Sequence, residues 1–281
     1  DTFSEWVSNI KGVPQGSILG PLLFNIFIND FLFLKLNANI YNYADDNTLS
    51  YVGTSIEDIK TKLEEDCLKS MEWFKNNNMR ANAEKFQLML ISRNGTLNNL
   101  RLRVENNIIH STQSINILGI EVDCKLNFTS HIDTICSQAG KQTNALKRLK
   151  GYLDKECKKV IYNSYISSNF NYCPVVWMFT GKLNIDKLEK SNKRALRFVT
   201  NDAEKAYEQL CNEEKQMSIH KRCIRSVAIQ MYKIKNQNAP NYLLELFNIR
   251  EMSHSLRKHN QFSVPSFNTI TYGRKSFVYY G

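Results

Sequence analysis

Between Ser17 and Leu36 the chain reads SILGPLLFNIFINDFLFLKL, 13 apolar residues in 20. A run of that density has to leave water, and it can do so in two ways. It approaches the length of a membrane-spanning helix. Gly20, Pro21, Asn25, Asn29, Asp30 and Lys35 interrupt it, however. The run therefore predicts a helix buried inside a globular fold, apolar on nearly every face, and no membrane partner. With 281 residues, 42% of them hydrophobic, the chain can build one large or two ordinary domains around such a core.

Around this run the apolar period changes twice. KGVPQGS (11–17) is loop chemistry, with two glycines and a proline close together. Behind the run, Ile40, Tyr41 and Tyr43, then Leu49, Tyr51 and Val52, predict a hairpin turning at Asp45-Asp46-Asn47. From Ser55 the period is helical: Ile56, Ile59, Leu63, Cys67, Met71 and Phe74 recur at steps of three and four. Ser55 stands as N-cap, with Asp58 three residues on. EKFQLMLIS (84–92) predicts a strand, and LRLRVENNIIH (100–110) a second one around a turn. SINILGIEVD (114–123) predicts a further hairpin strand, with Gly119 marking a kink or a close backbone approach. After Phe128 the chain reads as mainly helical to about residue 247, with a stripe of Ile132, Ile135, Ala139, Leu146, Leu149 and Leu153. A polar tail follows from about Met252, and the fold class is α+β.

Charge narrows the partners. Lys and Arg number 37 against 27 Asp and Glu, a net of +10, which suits a polyanionic partner, nucleic acid first, and on charge alone fits an ordinary lysine-rich surface about equally. Across 141–159 stand Lys141, Lys147, Arg148, Lys150, Lys155, Lys158 and Lys159, against Asp154 and Glu156 alone. Such a helix face suits phosphates rather than base edges. Lys141, Lys147, Arg148 and Lys150 are the candidate backbone contacts; a solvated face is the alternative. The seven cysteines are scattered and odd in number, with no Cys-x-x-Cys pair. They read as reduced, mostly buried thiols of an intracellular protein, nuclear and/or cytoplasmic. Cys211, His220 and Cys223 fit no common zinc spacing and lack a fourth ligand. The opening DTFSEWVSNI has neither the basic start nor the apolar run of a signal peptide.

In NIYNYADDNTLSYV two carboxylates, Asp45 and Asp46, stand side by side. Adjacent carboxylates repel, and Asp and Asn favour turns over strands. A carboxylate pair on a tight hairpin is well suited to holding divalent metal ions against phosphates. Successive side chains on a strand point to opposite faces, so Asp45 is the candidate direct ligand and Asp46 the second. By themselves these residues read more simply as a solvated Asp-Asp-Asn turn without function.

The combination is more specific. GVPQGSILGPLLFNIFIND followed by YADD closely resembles the palm of reverse transcriptases, in the lineage of non-LTR (LINE-type, jockey-like) retrotransposons. The first string resembles the motif lettered B and YADD motif C. WFKNNNMRANAEKFQLM is similar to motif D and INILGIEVDCKLNFTSHI to motif E. The resemblance covers roughly residues 8–150. SNFNYCPVVW and NAPNYLLELF are similar to the region behind the polymerase in such elements.

The resemblance implies a partial palm over 1–125, thumb-like basic helices over 126–165 and a helical C-terminal extension with a polar tail over 166–281. Asp45 and Asp46 would be the second and third catalytic carboxylates and the metal ligands, with Mg²⁺ as cofactor and Mn²⁺ as a second candidate. Gly12, Pro14, Gln15, Gly16 and Ser17 would contact the nascent base pair and incoming nucleotide, Gln15 foremost, Gly16 allowing close backbone approach. Lys85 would protonate departing pyrophosphate, Tyr43 would underlie the primer terminus, and Leu118 and Gly119 would sit in the primer grip. The implied partners are an RNA template, a DNA primer and dNTPs. The family's first catalytic aspartate lies upstream of motif B, and the eleven residues before Gly12 contain nothing like that motif. The resemblance thus implies a fragment with little or no polymerase activity as it stands. The alternative is a non-catalytic nucleic-acid-binding remnant of a retroelement. A viral RNA-copying polymerase is the weaker match, since those usually carry Gly-Asp-Asp where this chain has Ala44-Asp45-Asp46.

Overall fold

The computed structural model describes residues 12–92, 100–248, 262–267, 269 and 273–280. They fall into two units, Asp1–Ile115 and Asn116–Gly281. The segment ahead of Gly12 and most of the tail after Met252 lie outside the described residues.

In the first unit helix α1 (Gly20–Ile28) starts with Pro21 in its first turn and runs into a 3₁₀ turn, Asn29–Phe33. Phe31 is buried against the Trp73 and Phe74 rings, with centroids 5.3 and 5.1 Å away. The expected burial on nearly every face is not found. Ile18 is 97% exposed, Leu22 55%, Ile26 63% and Phe33 75%. Only Gly20, Ile28 and Phe31 of the run from 17 to 36 are buried, because the helix rests on its neighbours through one edge.

Strands β1 (Asn39–Tyr43) and β2 (Asp46–Ser50) form the expected hairpin, paired from Asn39↔Ser50 to Tyr43↔Asp46. The turn is one residue earlier than expected: Ala44 and Asp45 form it, and Asp46 already belongs to β2. Helix α2 (Ile56–Asn76) begins at its predicted cap, the Ser55 hydroxyl accepting the Asp58 N–H at 3.1 Å. Its apolar side packs Ile56, Ile59 and Leu63 with Ala38, Leu88, Leu100 and Leu102. The expected strand over 84–92 is instead a 3₁₀ turn, Ala83–Lys85, and an extended stretch. A single bridge, Leu88↔Ser111, ties that stretch to the chain beyond β4. Residues 100–110 make a hairpin by themselves, β3 (Arg101–Val104) with β4 (Asn107–His110).

Next along the chain, β5 (Ser114–Ile117) pairs with β6 (Ile120–Asp123). The single strand predicted over 114–123 is therefore two strands. Their two-residue turn, Leu118–Gly119, has φ of +49° and +81°, the combination a tight hairpin of the I′ kind needs.

In the second unit the Asp123 carboxylate accepts the N–H groups of Lys125, Asn127 and Phe128, setting the entry of α3 (Thr129–Lys147). There follow α4 (Lys155–Ile161), a π-helical turn, Tyr162–Ile166, and the short α5 (Ser167–Asn171) and α6 (Pro174–Trp177). Then come α7 (Lys182–Thr200), α8 (Tyr207–Glu213), α9 (Ile219–Lys235) and two single-turn helices, α10 (Asn241–Leu244) and α11 (Phe277–Tyr280). Helix α3 packs on α7, burying Ile132, Ile135 and Ala139 with Ile166, Phe170, Trp177, Leu188 and Leu196. Of the predicted stripe, Leu149 lies beyond the helix end and is about half exposed. A polar chain threads this core: Tyr162 donates to Asn192 (2.6 Å), Asn192 to Tyr207 (2.7 Å), and Tyr207 to Glu189. Glu189 in turn accepts the first N–H groups of α9, from Ile219 and His220. Every member finds a partner, which a buried network requires to be stabilising.

No helix among the described residues is long and apolar enough to cross a membrane. All seven cysteines are free; only Cys211 and Cys223 are buried, so the expectation of mostly buried thiols is corrected. Burial pushes the Cys223 thiol up to about 12 and Cys67 to about 11, which leaves both unreactive.

Candidate active site

The acidic pair is carried by a turn that is held from within its own hairpin. Asn42 and Asn47 face each other in the register. The Asn42 amide donates to the Asn47 side-chain oxygen (2.8 Å) and to the Ala44 carbonyl (2.9 Å), and Asn47 donates to the Asp45 carbonyl (3.3 Å). Ala44 sits at φ +52°, a conformation unfavourable for a residue with a Cβ. These amide bonds offset that cost at the tip where Asp45 projects.

Asp45 and Asp46 are both exposed, and no described residue donates a hydrogen bond or an ion pair to either carboxylate. Two free, hard oxygen donors at a turn fit a Mg²⁺ ion, which takes one or two carboxylates from a protein and the rest of its shell from water and phosphate. Tyr43 stands opposite Asp46 across the hairpin and so shares its face. At 68% exposure it is not packed into the hairpin and is open to a partner.

The base of this hairpin is fixed by a residue that apolar periodicity alone does not single out. Asp66 of α2 is fully buried and accepts the N–H groups of Asn37 (3.0 Å) and Ala38 (2.7 Å), directly ahead of β1, and the Asn37 amide as well. A signal existed: Leu63, Asp66 and Ser70 follow the apolar spacing of α2, so an acid lay where the pattern called for a hydrophobe.

The loop Gly12–Ser17 forms one turn, the Ser17 N–H donating to the Pro14 carbonyl (3.2 Å) with Gly16 at φ +84° in the position that requires glycine. A Cβ on Gly16 would meet nothing within 4 Å, so here φ rather than crowding demands glycine. Gln15 is exposed at the turn, as is Pro14. Ser17 has a structural role, its hydroxyl accepting the Gly20 N–H (3.0 Å) at the start of α1. Lys85 ends the 3₁₀ turn with its side chain exposed, the turn being capped by Asn82, which accepts the Glu84 N–H. No hydrogen bond among the described residues joins Lys85, the loop and the hairpin turn to one another.

In the second unit the expected basic helix face over 141–159 is broken. Helix α3 stops at Lys147, and α4 starts afresh at Lys155 behind Asp154, whose carboxylate accepts the Cys157 N–H (2.7 Å). The seven cations then divide. Lys155 (2.8 Å) and Lys159 (3.5 Å) pair with buried Glu214, and Lys158 is buried against the Phe198 ring. Lys141, Lys147, Arg148 and Lys150 remain exposed, their side chains unpaired among the described residues.

Two other candidates lead nowhere chemically. Among the described residues no three His, Cys, Asp or Glu groups converge as a metal-ligand set, and His220 is exposed whereas Cys211 and Cys223 are buried. A cavity in the second unit is lined by Val176, Phe179, Ile234 and Phe277 and offers no carboxylate.

Residues 4–122 match the family described as Reverse transcriptase (RNA-dependent DNA polymerase). The chain is 28% identical over 200 residues to the RNA-directed DNA polymerase from mobile element jockey of Drosophila melanogaster. It is 26% identical over 204 residues to the probable RNA-directed DNA polymerase from transposon BS, and 22% over 202 to that from transposon X-element, both of the same fly. Each match covers 67% of this chain and 22% of the relative, so the chain spans about a fifth of the length of these proteins. No solved structure matches it. The motifs, the carboxylate-tipped hairpin and these matches make residues 4–122 similar to the reverse transcriptase family, within a chain similar to the polymerases of jockey-like mobile elements.

Proposed function

We propose that this chain is the palm-to-thumb part of an RNA-directed DNA polymerase from a non-LTR retrotransposon, its parent reaction adding deoxynucleotides to a primer 3′-hydroxyl against an RNA template. The observation that carries this reading is the turn at Ala44–Asp45: two free, exposed carboxylates on a hairpin stapled by Asn42 and Asn47. A bound pair of Mg²⁺ or Mn²⁺ ions would supply activation of the primer hydroxyl and charge stabilisation of the leaving pyrophosphate. Asp45 holds the metal side of the site, with Asp46 behind it. Gln15, at the tip of the glycine turn, reads the nascent pair, and Tyr43, on the face of Asp46, receives the primer end. Lys85 is an exposed proton donor for the leaving group. Lys141, Lys147, Arg148 and Lys150 hold duplex phosphates, sequence being read by base pairing alone.

The test is primer extension on an RNA template with Mg²⁺ and with Mn²⁺, beside Mn²⁺ binding followed by electron paramagnetic resonance. As it stands the chain should show little or no extension but should bind Mn²⁺ at the hairpin; Asp45→Asn should weaken Mn²⁺ binding and abolish any extension that remains. Extension or Mn²⁺ binding that is indifferent to Asp45→Asn overturns the reading. A second reading, a nucleic-acid-binding remnant without catalysis, is favoured by the four unpaired cations. Salt-sensitive duplex binding with neither extension nor Mn²⁺ binding at Asp45 would select it.

A further inference from the structure

The turn Leu118–Gly119 carries an unusual load. Leu118 stands at φ +49°, where a side chain is disfavoured, and Gly119 at φ +81°. Conformations of this kind persist only where the surroundings over-determine them. Two side chains do so here. The Asn116 side-chain oxygen accepts the Gly119 N–H at 2.9 Å, from within the hairpin. From 54 residues further along the chain, the Tyr172 hydroxyl donates to the Leu118 carbonyl at 2.5 Å. The Tyr172 ring also lies against Gly119, 3.7 Å from where a Cβ would be.

Tyr172 is itself held. It ends α5 in an extended conformation, and the next residue, Cys173, takes φ +43° before Pro174 opens α6. The indole N–H of Trp177, a fully buried side chain, donates to the Tyr172 carbonyl at 2.9 Å. The ring of Tyr172 is 49% exposed, so packing does not explain its position. A buried tryptophan fixes the backbone of a half-exposed tyrosine, whose hydroxyl fixes the turn.

We propose that Tyr172 is a positioning residue for primer binding: it sets the Leu118–Gly119 turn from the segment NYCPVVW, so that this segment belongs to the working polymerase rather than to an appendage. The proposal rests on the reading of that turn as the primer grip. Tyr172 touches no reacting atom and acts through the turn alone.

The probes are two duplexes of equal length, a DNA primer annealed to an RNA template with a recessed 3′ end and the corresponding blunt duplex. Affinity for each is measured by fluorescence anisotropy with the full chain, and amide hydrogen exchange is followed over residues 114–123. The wild-type chain should prefer the recessed end. Tyr172→Phe, which removes only the hydroxyl, should lower that preference by roughly 3- to 10-fold, the range one hydrogen bond commands. It should also speed exchange at Gly119 and Ile120 while exchange in α7 is unchanged. Asn116→Ala, which cuts the other tether, should do the same. A purely structural role would move melting temperature and leave the preference ratio alone. If the wild-type chain shows no preference, the primer-grip reading fails and this proposal falls with it. If the preference exists and Tyr172→Phe keeps it, or exchange at the turn is unmoved, Tyr172 is no positioning residue and the primer-grip reading survives. Should Tyr172→Phe loosen α7 as well, Asn116→Ala decides by the same ratio whether the turn sets the preference, and an unchanged ratio there overturns the proposal.

Discussion

The two tight turns of this chain are held in opposite ways. Ala44–Asp45 is stapled by Asn42 and Asn47, both within three residues of it. Leu118–Gly119 takes part of its support from Tyr172, more than fifty residues away. The first is a self-contained device that needs only its own hairpin. The second reports on the packing of the helical unit around it. A local staple keeps its geometry as long as the strands pair, whereas a long-range one couples the turn to everything that positions the distant residue.

The largest effect expected from breaking this contrast lies at the long-range tether that Asp66 gives the base of the first hairpin. Asp66→Ala removes the acceptor for the N–H groups of Asn37 and Ala38, the latter buried. Leaving buried donors unsatisfied costs about 1 to 3 kcal/mol each, so a loss of about 3 kcal/mol is expected. Chemical denaturation monitored by hydrogen exchange should show β1 and β2 opening while helices α3 and α7 keep their protection. Equal loosening of both units would mean that the hairpin base is not a separate support.

Next comes the staple. Asn42→Ala removes both its bonds at the turn, and about 1 kcal/mol of local stability is expected to go with them. Exchange at Asp45 and Asp46 should quicken and Mn²⁺ binding weaken, while β3 and β4 are untouched. If Mn²⁺ binding at Asp45 is unchanged, the staple does not position the carboxylate.

Much of this is legible in the sequence, and the misses share a cause. Helix α2 is readable because a period of three and four residues and the Ser55 cap are properties of the segment itself. The hairpin at Asp45 is readable as a place but not as a register. Asp and Asn favour turns generally, whereas the pairing Tyr43↔Asp46 is chosen by the strands on either side. Residues 84–92 have strand composition, yet composition does not supply a pairing strand, and among the described residues the stretch makes one β-bridge, Leu88↔Ser111. The basic face over 141–159 misleads because charge counted along the sequence ignores the fold. Asp154 restarts the helix, and Glu214, far along the chain, takes up Lys155 and Lys159 as ion-pair partners. Of the site, the acids and the glycine turn are visible as motifs. Asp66 shows only as an acid out of place on the apolar side of α2, and Tyr172 not at all, since what makes each of them matter is a partner that no local pattern names.

A gain should be available at the first turn that the second already has. Ala44 at φ +52° pays a Cβ penalty that glycine escapes, much as Gly119 does at φ +81°. Ala44→Gly should therefore stabilise the hairpin by up to about 1 kcal/mol, less the entropy glycine adds to the unfolded chain. Local exchange at Asp45 and Asp46 would slow. Faster exchange would show that the alanine methyl supports the turn rather than straining it.

The smallest effect sharpens the other side of the comparison, the long-range ties of the second unit. Burial alone would push the Glu214 carboxyl up, but the ammonium groups of Lys155 and Lys159 outweigh it and hold the group below its ordinary value. A carboxylate depressed in the folded state contributes stability that is fully present above its unfolded value of about 4.3. That contribution fades as pH falls through the lower folded value. Glu214→Gln keeps the shape and loses the charge. Its melting temperature should fall below that of the wild-type chain at neutral pH, and the gap should close in acid as the wild-type carboxyl takes up its proton. The Tyr172 hydroxyl makes no contact with this ion pair, so the Leu118–Gly119 turn should keep its exchange protection while the α4–α8 contact weakens. A gap that is constant with pH would mean that the ion pair does not hold α4 to α8. A turn that loosens in step with it would mean that the second unit's long-range ties act as one.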